Sequence, residues 1–518
     1  MGGASIHRVA NRRVANRRVA NARILPPRKP GDRSRMDFPV FHLEGMGNRM
    51  LVAVVAVLHV LINHGLAVGA MPLITALEWW GERTGDRRWD DFAYRFLAVC
   101  FVVTTTVGAM TGVGIWFTTS LVNPTAIGSL LRVFFWAWFT EWLVFITEVC
   151  LILAYFLLWK TWQGPKKRAH LRLGLALSVF SWITMSLIVA ILGFMMSTGD
   201  WQHQPSLLKG IFNPLYLPQL CFRTGLAMVS AGLLGWGLTL FFVPARDEFR
   251  PKIVKALAAW VLAWTPVCAA GAAWYWQRIP TWSATNIPTA ITTQEFTRWH
   301  QGLVSTAGGL VGLILLTAVI GLILPQRLPR WILPMPFAAS LLLLGSFERV
   351  REFIRKPYVI ANYLYANGVR VEEMPLLRRD GILPHSSYAR VRRITPETRV
   401  RAGEEVFLIA CTRCHTLRGM NSIDTKLTRM FGQGPWDPEL VSGYIRNMHG
   451  PRPFMPPFPG NDAELDALTA WLVEVHGRSE RLAGAQSVGV QPAPLLSRED
   501  IHTQSTWTPV QTPTANFE

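Results

Sequence analysis

The sequence predicts a mostly α chain: a polytopic bundle of about eight transmembrane helices followed by a small all-α domain. Three observations predict it. Half of the 518 residues are hydrophobic and 22 are tryptophan, a composition that points to a membrane. Eight apolar stretches are long enough to cross hydrocarbon, which takes about 20 residues each. After the last of them comes Cys411-Thr412-Arg413-Cys414-His415, set among short amphipathic stretches.

The N-terminal arm, 1–45, comes first. Residues 8–22 repeat Arg-Val-Ala-Asn-Arg with a period of five, and residues 1–35 carry nine Arg and one Lys against one Asp. So nine of the nineteen net positive charges sit there, and they say little about partners. The arm reads as low-complexity sequence or an over-extended start, with Met36 as the first residue. The other reading is a basic arm on anionic lipid or nucleic acid. We expect no nucleic-acid partner.

The apolar stretches run over 50–72, 95–119, 131–159, 171–196, 219–243, 253–276, 301–325 and 331–347, within a membrane domain at 46–360. Basic residues mark the cytoplasmic loops. Arg83, Arg87, Arg88 and Arg95 follow the first stretch; Lys160, Lys166, Lys167, Arg168 and Arg172 follow the third; Arg246, Arg250, Lys252 and Lys255 follow the fifth. Eight spans with those loops inside put residues 361–518 outside. Cys100, Cys150, Cys221 and Cys268 fall within apolar stretches and read as small packing residues.

Residues 361–394 read as a linker, 395–479 as the all-α domain and 480–518 as a mobile tail rich in Pro and Thr. Two cysteines three apart on one turn reach the two vinyl groups of one porphyrin, and the histidine behind them offers an imidazole to the iron. The alternative is a zinc or redox CxxC beside an accidental histidine. Gly403 and Phe407 precede the motif, Met455-Pro456-Pro457-Phe458-Pro459-Gly460 begins 40 residues after it, and a helix around Leu465, Leu468, Trp471 and Leu472 closes the region. This order resembles class I cytochrome c. The resemblance implies one covalent haem c on Cys411 and Cys414, with His415 as proximal and Met455 as distal ligand. Met448 and His449 are alternatives to Met455. A methionine ligand raises the haem potential.

An ionisable side chain in hydrocarbon is costly, so each one is a functional candidate. The first span holds His59 and His64, about 140° apart around a helix. One of them reads as a ligand and the other as a packing residue; we assign ligation to His59. Glu141 and Glu148 share a face of the third span and suit a proton path or a buried charged site. Arg223 opens the fifth, Arg298 and His300 precede the seventh, and Glu348, Arg349, Arg351 and Glu352 end the eighth.

In segments over residues 45–360 this pattern resembles subunit I of cytochrome bd oxidases. His59 to Gly69 resembles that family's first helix, whose histidine ligates an active-site haem. Gly108-Ala109-Met110-Thr111-Gly112 resembles a glycine-rich segment near its second helix. Glu141 and Glu148 resemble its acidic pair, associated with proton delivery to oxygen. Phe347-Glu348 and Glu352-Phe353-Ile354-Arg355-Lys356-Pro357-Tyr358 resemble its glutamate haem ligand and the signature that follows. The resemblance implies one or two non-covalent haems, b or d type, with His59 and Glu348 among the ligands.

The departures carry information too. Arg223 stands where the family has the histidine of its low-spin b haem, and arginine has no lone pair for iron. It would serve a haem propionate or a buried carboxylate instead. His300 stands where the family has the partner methionine, so the low-spin site is lost or rebuilt around His300. The loop that binds quinol in the family is short here, at 277–298, and the chain passes into the haem c domain where the family has a ninth span.

Three functions follow. The first is a cytochrome-c-linked, bd-like oxygen reductase fed through the external haem c. The second is a quinol dehydrogenase passing electrons outward. The third is a non-catalytic anchor and relay in a respiratory complex. The expected partners are a soluble cytochrome c or other periplasmic redox protein and further membrane subunits, with quinone as a further candidate. The expected location is the bacterial inner membrane.

Overall fold

A computed structural model describes residues 39–292 and 302–487. Among the described residues, eight helices are long and apolar enough to cross a membrane: Asn48–Thr84, Arg87–Val122, Pro124–Leu158, Gly164–Met196, Tyr216–Phe242, Phe249–Arg278, Leu303–Ile323 and Arg330–Ile354, spans one to eight. The chain is a mostly α, multi-pass membrane protein with a small all-α region after it. The spans begin and end where local chemistry requires. Asp86 caps span two by accepting from Arg88 N, and Asn123 caps span three ahead of Pro124, which suits the first helical turn.

Spans one and two each contain a π-helical turn, Asn63–Val68 and Thr104–Gly108. Span five is the most enclosed, with 78 % of its apolar window buried, while span three has 11 %. Glycine permits that enclosure. A methyl group on Gly225 would stand 2.4 Å from Cys268 N, and one on Gly271 would stand 2.3 Å from Phe222 N, so spans five and six pack backbone to backbone. Span three instead presents Phe135, Trp136 and Trp142 outward, as a helix bordering lipid or another subunit does. Cys150 is exposed on that surface rather than packed inside, whereas Cys100 is buried as expected.

The stretch 361–394, expected as a linker, is folded. Tyr358–Ile360 and Leu364–Tyr365 form a small antiparallel hairpin, and a helix follows at Met374–Asp380. Leu377, Ile382 and Leu383 then join Val406, Phe407, Leu468 and Trp471 in one core. Buried Glu464 fastens the two parts by accepting from Ile382 N and Leu383 N, both at 2.8 Å. The remaining helices of the C-terminal domain are Arg399–Ala410, Ile423–Phe431, Pro438–Asn447 and Asp462–Ser487. The last runs through 487, past the boundary at 479 expected from sequence; the rest of the expected tail lies outside the described residues, as does the basic repeat of the N-terminal arm.

The C-terminal domain sits against the bundle end that holds the start of span one and the ends of spans two and four. Arg413 Nε donates to Val122 O at 3.2 Å, and Ala361 N donates to Met195 O at 3.0 Å.

Candidate functional site

The Cys411–His415 motif lies at the end of the helix Arg399–Ala410, where Cys411 and Cys414 are free thiols. His415 is set for ligation by its neighbour. A carbonyl can only accept, so the 3.1 Å bond to Asn421 O fixes the proton on Nδ1 and leaves the Nε2 lone pair bare. Asn421 turns its carbonyl back by adopting φ +61°, a left-handed conformation that asparagine tolerates. Burial first, and then the Lys426 cation, push His415 down to about 4, so the ring is neutral at neutral pH.

On the other loop, Met455 N donates to Arg452 O at 2.8 Å, and His449 Nδ1 donates to Met455 O at 2.5 Å. His449 thereby holds the Met455 loop, and Met448 packs on the domain core. The donor set of Cys411, Cys414, His415 and Met455 suits a c-type haem.

Inside the bundle the candidates sort differently from the sequence expectation. His59 is half-buried against span two, with Nδ1 3.2 Å from Gly108 O and from Thr111 Oγ1. His64 is buried on the π-turn and points at Arg223. Because a guanidinium only donates, the 3.1 Å contact with Arg223 Nη1 makes His64 Nε2 the acceptor, and Nδ1 donates to Val60 O at 2.9 Å. Arg223 also donates to Glu348 Oε1, whose Oε2 accepts from Arg351 Nε at 2.8 Å. The structure brings His64, not His59, together with Arg223 and Glu348. Small residues mark that face. A methyl on Gly69 would stand 2.0 Å from Ala227 O. Arg223 meets the buried carboxylate, one of the two partners expected for it. His300 lies outside the described residues.

The arrangement has the chemistry of a cation site. A neutral imidazole lone pair and a carboxylate, both buried, are aimed at one cation, and the guanidinium fills that place. Around it Arg223, Arg351, Arg355 and Lys356 are set against Glu348 and Glu352, leaving two surplus positive charges among groups that are largely buried. Arg223 Nε, Arg351 Nη1 and Arg355 Nε have no hydrogen-bond partner among the described residues. Surplus buried charge and unmet donors call for further carboxylates, and the two propionates of a haem would supply them. Arg223, Arg351 and Arg355 would hold the propionates of a haem, and His64 or Glu348 would offer a donor to its iron.

Of the acidic pair, Glu148 accepts from Ser181 Oγ at 2.6 Å and Thr184 Oγ1 at 2.9 Å across to span four. Glu141 is half-buried and has no hydrogen-bond partner among the described residues. Sequence reasoning missed a second buried cluster, toward the end of the bundle away from the C-terminal domain. There Glu78 accepts from Tyr155 Oη at 2.6 Å, His170 Nδ1 at 2.5 Å and Lys167 Nζ at 2.8 Å, and Lys167 also meets Asp90. The five groups come from spans one to four, and no local spacing connects Glu78 to the others. Among the described residues, no three His, Cys, Asp or Glu side chains converge on one point.

Residues 398–472 match the family described as cytochrome C oxidase, cbb3-type, subunit III. That match lies within the C-terminal domain. No curated protein matches the chain. Among solved structures, the bd oxidase from Geobacillus thermodenitrificans superposes with a TM-score of 0.53 at 13 % identity, over 61 % of this chain and 89 % of that one. The membrane half has the bd oxidase fold. The chain is thus a multi-span membrane protein with an added C-terminal α-helical region, resembling subunits of respiratory oxidases.

Proposed function

We propose that this protein is a respiratory electron-transfer haem protein of the bacterial inner membrane. It takes electrons from a soluble cytochrome c through a haem c on the periplasmic side and passes them to oxygen within the bundle. The observation that carries this reading is the convergence of His64 and Glu348 on one buried cation, beneath a docked domain with the haem-attachment motif.

In this reading Cys411 and Cys414 anchor the outer haem, and His415 and Met455 are its axial donors. His64 and Glu348 are donors to one or two haems in the bundle, while Arg223, Arg351 and Arg355 hold propionates. The bound haems supply electron transfer and oxygen binding. Glu148, oriented by Ser181 and Thr184, and Glu141 hold protons for delivery inward, with the basic loops on the proton-supplying side. The short 277–298 loop favours a protein donor over quinol.

The test uses purified membranes with reduced cytochrome c as donor. Oxygen uptake that His64→Ala abolishes, with the haem c spectrum intact, supports the reading. Reduction of haem c by quinol without oxygen uptake would sink it. One observation favours a second reading: Arg223 closes the gap between His64 and Glu348. If that bridge holds in the loaded protein, the bundle is an anchor and relay with no iron at this point, and purified protein will contain haem c alone.

A further inference from the structure

We propose that the membrane bundle completes the haem c site: Arg49, on the first turn of span one, receives a propionate of the haem anchored at Cys411 and Cys414. The inference rests on the haem c of the proposed function.

The chain leading to Arg49 is laid along the loop that follows His415. The ring of His42 packs edge-on against Phe407, with centroids 6.5 Å apart. Glu44 accepts from Leu417 N at 3.1 Å, Arg418 N at 2.6 Å and Gly419 N at 3.3 Å, and Met420 N donates to Gly45 O at 3.0 Å. Gly47, at φ +80°, passes so close that a methyl group there would stand 3.1 Å from Thr416 Cγ2. Residues 44–47 are thereby fixed against 416–420, and Arg49 follows two residues later.

Arg49 also reaches the other ligand loop. Its Cζ lies 6.0 Å from the centre of the Phe353 ring, which packs 5.2 Å from Phe454, the residue before Met455. The guanidinium therefore stands where the His415 loop and the Met455 loop both meet the bundle. It is half-buried and has no ion-pair partner among the described residues. Glu352, a neighbouring carboxylate of span eight, is already bound by Arg355 and by Lys356 at 3.0 Å.

A haem brings two carboxylates into this gap, and a planar guanidinium recognises a carboxylate through two parallel hydrogen bonds. The placement has a consequence for electron flow. Span one carries both Arg49 and His64, and span eight carries both Phe353 and Glu348, so the outer haem is held at the head of the two spans whose donors lie below it.

The test is potentiometry of the haem c in the full-length protein, comparing the parent with Arg49→Gln and Arg49→Lys. A cation beside the haem favours the reduced, less positive state. Arg49→Gln should lower the midpoint potential with covalent attachment and methionine ligation unchanged, and Arg49→Lys should recover most of the loss. An unmoved potential in Arg49→Gln overturns the proposal. So does an equal loss in both variants accompanied by a changed ligation spectrum, which marks a packing role. A parent protein with no covalent haem overturns the haem c reading itself, and that result is distinct from both.

Discussion

Glu348 is the carboxylate shared by two buried arginines, and that asymmetry yields a ranked prediction. Removing one member of a buried ion pair costs about 3–5 kcal/mol, because the other charge is left without compensation. Glu348→Gln strands both Arg223 and Arg351 where two surplus cations already sit, so its cost falls at about 4–5 kcal/mol. Arg223→Met leaves Glu348 paired with Arg351 at 2.8 Å and reduces the surplus charge; its main loss is the hydrogen bond to His64, and we expect about 1–3 kcal/mol. The assay is unfolding of the detergent-solubilised protein in an SDS titration, followed by far-UV circular dichroism. If Arg223→Met is as damaging as Glu348→Gln, the ion cluster is not organised around one shared carboxylate, and the reasoning fails.

Other predictions use the same geometry. Alanine at His64 should remove the absorbance of non-covalent haem while His59→Ala leaves it nearly unchanged; difference spectra of membranes decide, and the opposite pattern restores the assignment made from sequence. Burial would raise Glu44, but hydrogen bonds from Arg418 N, His42 and Leu417 N outweigh it and hold the carboxyl below its ordinary 4.5. Its folded value is the lower one, so its stabilisation is complete above 4.5 and is lost as pH falls through the depressed value; hydrogen exchange over 416–421 should accelerate there in the parent and at neutral pH in Glu44→Ala. A methyl group on Gly403 would stand 2.0 Å from Ala467 O, so Gly403→Ala must separate the helices Arg399–Ala410 and Asp462–Ser487. That should cost about 1–3 kcal/mol, read as a lower unfolding midpoint at the Soret band.

Much of the fold was legible in the sequence because membrane crossing has a length requirement that a hydropathy run meets or misses. All eight spans lie where the apolar stretches are. What escaped depends on local irregularity and long-range contact. The π-turn at Asn63–Val68 lies at His64, and no residue pattern announces it; the run of Gly65 and Gly69 was the available signal for the buried face. The Cys411–His415 motif was visible as five consecutive residues. Its tie to the bundle through Arg413 and Val122, 291 residues apart, was not. Residues 361–394 were read as a linker, yet they fold onto the C-terminal domain through contacts with Glu464, 82 and 81 residues away. The Glu78 cluster escaped for the same reason: Lys167 was read as part of a basic loop, and Glu78 had no visible partner.

The central claim is that the docked haem c serves non-covalent haem inside the bundle. A pyridine haemochrome spectrum of the purified full-length protein tests it most directly. The account predicts one haem c together with at least one haem of b or d type. Haem c alone would contradict it and leave the bundle as an anchor built around Arg223.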